Sequence, residues 1–223
     1  MTTGTHHLAE QPRVSGEAAR ALMVASQLRT TAVTDARLVA AMSEVAREDY
    51  LPAAHAALAY RDRPVPLGGG REQNAPLATA RLLNAADIRP TDRVLLIGGA
   101  SGYTAALLSR LAASVVSVES DPGLQRPSNG NVETVENVLA EGHPAGAPYD
   151  VIVVDGAVEQ LPDALVAQVR VGGRIVSGIV ERGVVRLAAG TRTAGGFALT
   201  PFADIDCVIL PGFARPRSFS FPG

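Results

Sequence analysis

The chain has 223 residues, 47% of them hydrophobic and 19% charged, with a net charge of −2. That length holds one full α/β domain with a short extra element, the hydrophobic share excludes general disorder, and the charge balance advertises no nucleic-acid face. No apolar run reaches the roughly 18 residues of a membrane span, no basic-then-apolar leader opens the chain, and the lone Cys207 fits a reducing compartment, so the expected location is the cytoplasm.

Residues 1–15 are polar and unpatterned and read as a mobile arm. Ala19, Leu22, Met23 and Leu28 then predict a helix over 16–28. Thr34-Asp35 opens another, with Leu38, Met42 and Val45 on one stripe. Pro52 and the 64–70 stretch interrupt the pattern. Pro76 suits the first turn of a third helix continued by Ala78, Leu82, Leu83 and Ala86. Residues 16–90 thus read as a helical cap with a loop, and 91–223 as a sheet domain.

Beyond Asp92, strands and helices alternate. Strands are expected at 94–97, 115–118, 131–135, 151–154 and 174–177, with helices at 104–111 and 161–169. The continuously apolar runs at 94–97 and 151–154 mean burial on both faces, the mark of a parallel sheet in an α/β fold. Residues 184–187 and 197–210 read as antiparallel strands, Cys207 as a buried residue within them, and Phe219-Ser220-Phe221 as a short edge strand.

The chemistry concentrates in Val94-Leu95-Leu96-Ile97-Gly98-Gly99-Ala100-Ser101-Gly102-Tyr103. A buried strand feeding a small-residue loop into a helix places backbone N–H groups where a nucleotide-like ligand can bind. The next strand ends in Glu119, whose carboxylate can accept from both hydroxyls of a ribose. The plainer alternatives are a tight strand-to-helix turn at 98–102 and a solvated strand end at Glu119. Asp155 suits a site, or equally a helix N-cap for residues from Ala157 onward. All 20 basic residues are arginines, which removes Schiff-base and P-loop lysine chemistry. His6, His7, His55, His143 and Cys207 have no ligand spacing, and no metal is expected.

Several motifs recur in a familiar order: Met23-Val24 with Gln27-Leu28, the run 45–52 (VAREDYLP), Ala59-Tyr60-Arg61-Asp62, Val65-Pro66-Leu67-Gly68, Pro76, the glycine loop, Ala147-Pro148-Tyr149-Asp150 and Gly172-Gly173-Arg174. Together they resemble the protein-L-isoaspartate O-methyltransferase family. The resemblance implies a Rossmann-like class I methyltransferase sheet with antiparallel C-terminal strands and an N-terminal helical cap. It implies S-adenosylmethionine as cofactor and a peptide or protein carboxylate as acceptor. Gly98, Gly99 and Ala100, followed by Ser101, Gly102 and Tyr103, would pass the methionine end; Glu119 would hold the ribose; Asn137 and Val138 stand where the family binds adenine; Asp155 ends the third core strand; and segment 70–76 would cover the methyl group. A carboxylate is already a nucleophile at neutral pH, so such a site works by positioning and needs no general base.

The chain departs from the family in three places. The usual Gly-Gln-Thr-Ile-Ser-x-Pro is Gly70-Arg71-Glu72-Gln73-Asn74-Ala75-Pro76, putting Glu72 and Asn74 at the hydroxyl positions, where a glutamate would repel an anionic substrate. Arg71 can pair with Glu72 or grip a carboxylate bidentately. In the cofactor loop Leu96 replaces a glutamate and Ala100 a glycine, the latter tolerable while φ stays negative. After Glu119 about ten residues of helix are replaced by the turn-rich 121–130, and Asn137-Val138-Leu139 stands in for Gly-Asp-Gly. In the cap, Arg47-Glu48 reads as a structural ion pair and Tyr60, His55 and Tyr103 as packing residues. An exposed aromatic tail (Phe213, Phe219, Phe221) points to docking on its own or a neighbouring subunit, with a homodimer as one outcome. Two other readings stand beside the methyltransferase: a degenerate member serving as a binding or regulatory protein, and a small NAD-dependent oxidoreductase built on the same strand-loop-helix-acid logic.

Overall fold

The computed structural model describes residues 16–124 and 127–215. The expected arm at 1–15 and the edge strand at 219–221 lie outside them. In the cap, α1 (Gly16–Met23) runs into a π-turn at Val24–Leu28. α2 (Ala36–Glu44) is capped by Asp35, whose side chain accepts from the Arg37 N–H at 2.8 Å. Two 3₁₀ turns, Arg47–Tyr50 and Ala53–Leu58, lead to an antiparallel hairpin of β1 (Val65–Gly68) and β2 (Arg71–Gln73). α3 (Pro76–Ala86) opens on its proline, where a missing N–H costs nothing.

The main sheet has seven strands: β3 (Arg93–Ile97), β4 (Ser114–Glu119), β5 (Val132–Glu136), β6 (Tyr149–Val158), β7 (Val169–Glu181), β8 (Val184–Thr191) and β9 (Thr200–Ala203). Their order is β5-β4-β3-β6-β7-β8-β9. The first five in that order are parallel and the last two antiparallel. The chain leaves β3 toward β4 and β5, then returns to β6 on the other side. The topological switch point therefore falls at the carboxyl ends of β3 and β6, where such sheets bind ligands.

Strand alternation divides the core. Val94 and Leu96 face the cap helices, while Leu95 and Ile97 face the opposite layer with Ile152, Val154, Leu165, Leu210 and Phe213. Phe213 is buried, 3% exposed, so this part of the aromatic tail docks on its own chain.

Several elements differ from the sequence reading. The helix after the glycine loop, α4 (Tyr103–Leu108), stops short of the expected 111, and past its end the Asn131 side chain donates to the carbonyls of Ser109 and Ala112, both at 3.1 Å. The helix expected at 161–169 is only α5 (Asp163–Val166), since Val169 already pairs with Tyr149 in the sheet. β6 continues past Asp155 to Val158, so Asp155 caps no helix at Ala157. Of 197–210 only β9 is a strand; Ile209 adds a single bridge to Ala157, and Cys207 lies buried in the extended segment between.

Candidate functional site

The loop between β3 and α4 takes left-handed φ at Gly98 (+75°), Ala100 (+46°) and Gly102 (+90°). Ala100 thus breaks the expectation of negative φ. A Cβ at Gly98 would meet Leu210 Cδ1 at 2.9 Å, and one at Gly99 would collide with the Ser117 hydroxyl, so both positions need glycine. Three of the loop's N–H groups are spent inside the protein: Gly98 on Val118 O, Gly102 on Gly99 O, and Ala100 on the Glu119 carboxylate at 2.9 Å.

Glu119 ends β4 and is 1% exposed. Its Oε2 accepts from Ala100 N, and its Oε1 from the backbone of Ser120 (2.8 Å) and Asp121 (3.2 Å). Arg71 reaches it from β2 as a two-pronged guanidinium, Nη1 on Oε1 and Nη2 on Oε2 at 3.0 Å. Arg71 therefore binds a carboxylate bidentately, as its chemistry permits, but the carboxylate is that of Glu119 and not Glu72. Glu72 sits between buried Arg71 and Gln73 on a strand, so it faces solvent.

Asn74 is 1% exposed and fully engaged. Its amide donates to Asp155 Oδ1 (2.8 Å) and to Asp155 O (3.0 Å), its carbonyl accepts from Val208 N (2.8 Å), and its backbone oxygen accepts from Arg47. This is a clamp joining the loop to β6 and the C-terminal segment. Burial pushes the Asp155 carboxyl up, and donation from Thr104 and Asn74 works against that shift.

Arg47 pairs with Asn74 O and lies 5.1 Å from the centre of the Tyr103 ring. It makes no ion pair with Glu48, which instead accepts from the Tyr60 hydroxyl and stands 3.9 Å from Arg20. Tyr103 packs edge-on against Tyr50 of the cap. Asn137 follows β5; its backbone N–H reaches Glu119 O (3.3 Å) and its side chain donates to Gly142 O (2.9 Å). Val138 beside it is 52% exposed. The sequence did not disclose Thr104 on Asp155, the Val208–Leu210 segment over Gly98 and Gly156, or Arg47 inside the site. No signal in the charged 45–52 run (VAREDYLP) set Arg47 apart from its neighbours.

A cavity of about 540 Å³ opens against Glu119, walled by Tyr50, Ala100, Ala106, Ser117, Asn129 and Thr134 among others. It lies between α4 and β4–β5, where the described residues 121–124 and 127–130 form no helix. Its size is that of sites for small ligands, roughly 300–1,000 Å³. A glycine loop, a buried acid at a strand's carboxyl end and a cavity beside it fit the nucleoside part of S-adenosylmethionine. Nothing here forms an acid–base pair for hydrolysis, and burial pushes the Cys207 thiol up to about 12.

Comparison with known proteins agrees with this architecture. A family profile described as protein-L-isoaspartate(D-aspartate) O-methyltransferase matches residues 19–203. A protein-L-isoaspartate O-methyltransferase of Methanoculleus marisnigri is 37% identical over 198 residues, 85% of this chain and 90% of that protein. One of Koribacter versatilis is 35% identical over 214 residues, 92% and 96% of the two chains. A solved protein-L-isoaspartate O-methyltransferase superposes with a TM-score of 0.73 at 24% identity, over 86% of this chain and 66% of that one. A putative enzyme of that name from Plasmodium falciparum, in complex with S-adenosyl-L-homocysteine, gives 0.70 at 20% identity over 86% and 97%. The chain belongs to the protein-L-isoaspartate(D-aspartate) O-methyltransferase family.

Proposed function

We propose that this protein transfers the methyl group of S-adenosylmethionine to a carboxylate of L-isoaspartyl residues in damaged peptides or proteins. The observation that carries the reading is the buried Glu119 carboxylate on the wall of the 540 Å³ cavity, beside the glycine loop of a chain whose family membership spans 19–203. When bound, the cofactor supplies an electrophilic sulfonium methyl to an acceptor that is a nucleophile as it stands. The protein's own work is then positional. Glu119 suits the ribose hydroxyls; the turn at 98–102 suits the amino-acid end; and the Asn74–Asp155–Thr104 network fixes the floor under the acceptor segment. The lone, buried Cys207 supports a reducing compartment, and we place the activity in the cytoplasm.

The test is incorporation of labelled methyl from S-adenosylmethionine into a pair of peptides identical but for one residue, isoaspartyl or aspartyl. Base-labile ester on the isoaspartyl peptide alone is expected; ester on neither would remove the reading. A binding or regulatory protein that has lost catalysis is the second reading, favoured by one observation: Arg71 occupies the acid that a ribose would use.

A further inference from the structure

Arg71 stands where the family has an uncharged glutamine, and among the described residues it is the buried arginine that forks onto a carboxylate; Arg37 does the same to Asp35 only at the surface. It is 8% exposed, and its guanidinium fork closes on both oxygens of Glu119. Those oxygens also accept from Ala100, Ser120 and Asp121 N–H groups. A carboxylate has about four lone-pair directions, and these donors already take them all. A ribose diol needs two. Glu119 can therefore hold the guanidinium or the ribose, not both, and of its donors Arg71 alone reaches it through a long side chain, the others being backbone N–H groups.

Arg71 follows directly on the glycine turn of its hairpin. Its turn, Gly68-Gly69-Gly70, has φ of +102°, +58° and +76°, and a Cβ at Gly68 or Gly70 would meet nothing within 4 Å. On the other side β2 leads straight into 72–76, the segment expected to receive the acceptor. A guanidinium displaced inside this site cannot stay unpaired, because an uncompensated buried charge is strongly unfavourable. The anion that arrives next is the acceptor's carboxylate.

We propose that Arg71 is an exchange latch between the two binding sites: the cofactor's ribose takes Glu119 from it, and the released guanidinium grips the anionic acceptor. This rests on the methyltransferase reading and adds an order to it, cofactor before acceptor. Binding of the two ligands is then coupled, and the coupling is reciprocal.

Calorimetry on the full chain tests this without turnover. S-adenosylhomocysteine is titrated into the wild type, Arg71→Gln and Arg71→Lys, and an isoaspartyl peptide into each with and without it. The wild type is expected to bind peptide about tenfold tighter when S-adenosylhomocysteine is present, within the range common for coupled sites. Arg71→Gln is expected to bind S-adenosylhomocysteine about tenfold tighter than wild type and to lose the peptide's dependence on it. Arg71→Lys keeps the charge without the fork and falls between. A wild type that binds S-adenosylhomocysteine while a folded Arg71→Gln binds it no better overturns the latch and leaves the methyltransferase standing. Should Arg71→Gln not fold, absence of any gain in Arg71→Lys overturns it equally. If neither wild type nor variants bind S-adenosylhomocysteine, the methyltransferase reading falls and the latch with it.

Discussion

Ala100 holds φ at +46° because its N–H is drawn onto Glu119 and its methyl packs in a small cluster with Leu51, Ala59, Val65 and Leu67. A left-handed conformation costs an L-residue about 1–2 kcal/mol. Ala100→Gly is expected to gain about 1 kcal/mol in urea unfolding, and a loss would show that the methyl's packing outweighs its strain. Asn74 is the opposite case. Asn74→Ala leaves Val208 N and the Asp155 carboxylate short of partners in a buried place, at about 3 kcal/mol. A midpoint unchanged from wild type would contradict the clamp. Glu72→Thr, on the outer face of β2, is expected to change stability by less than about 0.5 kcal/mol and to leave methyl transfer unaltered. These residues mark the limit of what the chain discloses. Segment 70–76 was legible as a candidate part of the site; which of its side chains point inward, toward Glu119 and Asp155, was not, because a two-residue period lets one step of register exchange Arg71 for Glu72.

At the scale of elements, apolar runs and punctuation were reliable where burial is complete. Val94–Ile97 of β3 and Val151–Val154 of β6 are continuous runs of Val, Leu and Ile, and Pro76 opens α3 as its type requires. Helix ends were not legible where a distant side chain meets them. Asn131, 22 residues beyond Ser109, donates past the end of α4 to carbonyls that no local pattern reveals. Asn131→Ala is expected to cost about 1 kcal/mol and lower the thermal midpoint; no shift would mean that α4 ends by its own propensity. The shortened 121–130 was visible as prolines and glycines, and Pro127, Ser128 and Asn129 line the cavity between α4 and β5. What no sequence pattern could give is the return of 207–210 across the switch point, where Leu210 covers Gly98 and Gly156. That contact is set by tertiary packing alone.

For the whole molecule, the titrating groups point to the alkaline side. Burial raises Cys207 from 9.0 to about 12 and Tyr149 from 10.0 to about 12; burial, then the bond to Glu48, does the same for Tyr60. Between about pH 9 and 12 the unfolded chain has lost these protons while the folded one keeps them. Stability is therefore full below that window and falls as pH rises through it. Thermal midpoints at pH 8, 10 and 11 should decline in that order, and a flat series would contradict the burial of these groups. Fold and cofactor class were legible because they reside in the order of buried strands and one acid at a strand end. The occupancy of that acid by Arg71 was not, since it joins residues 48 apart in sequence. It is also the feature that divides a working methyltransferase from a retained fold. Calorimetric titration of the purified wild type with S-adenosylhomocysteine addresses this most directly. Stoichiometric, micromolar binding with thermal stabilisation is expected; no heat and no stabilisation at high ligand would contradict the assignment of Glu119 and its cavity to the cofactor.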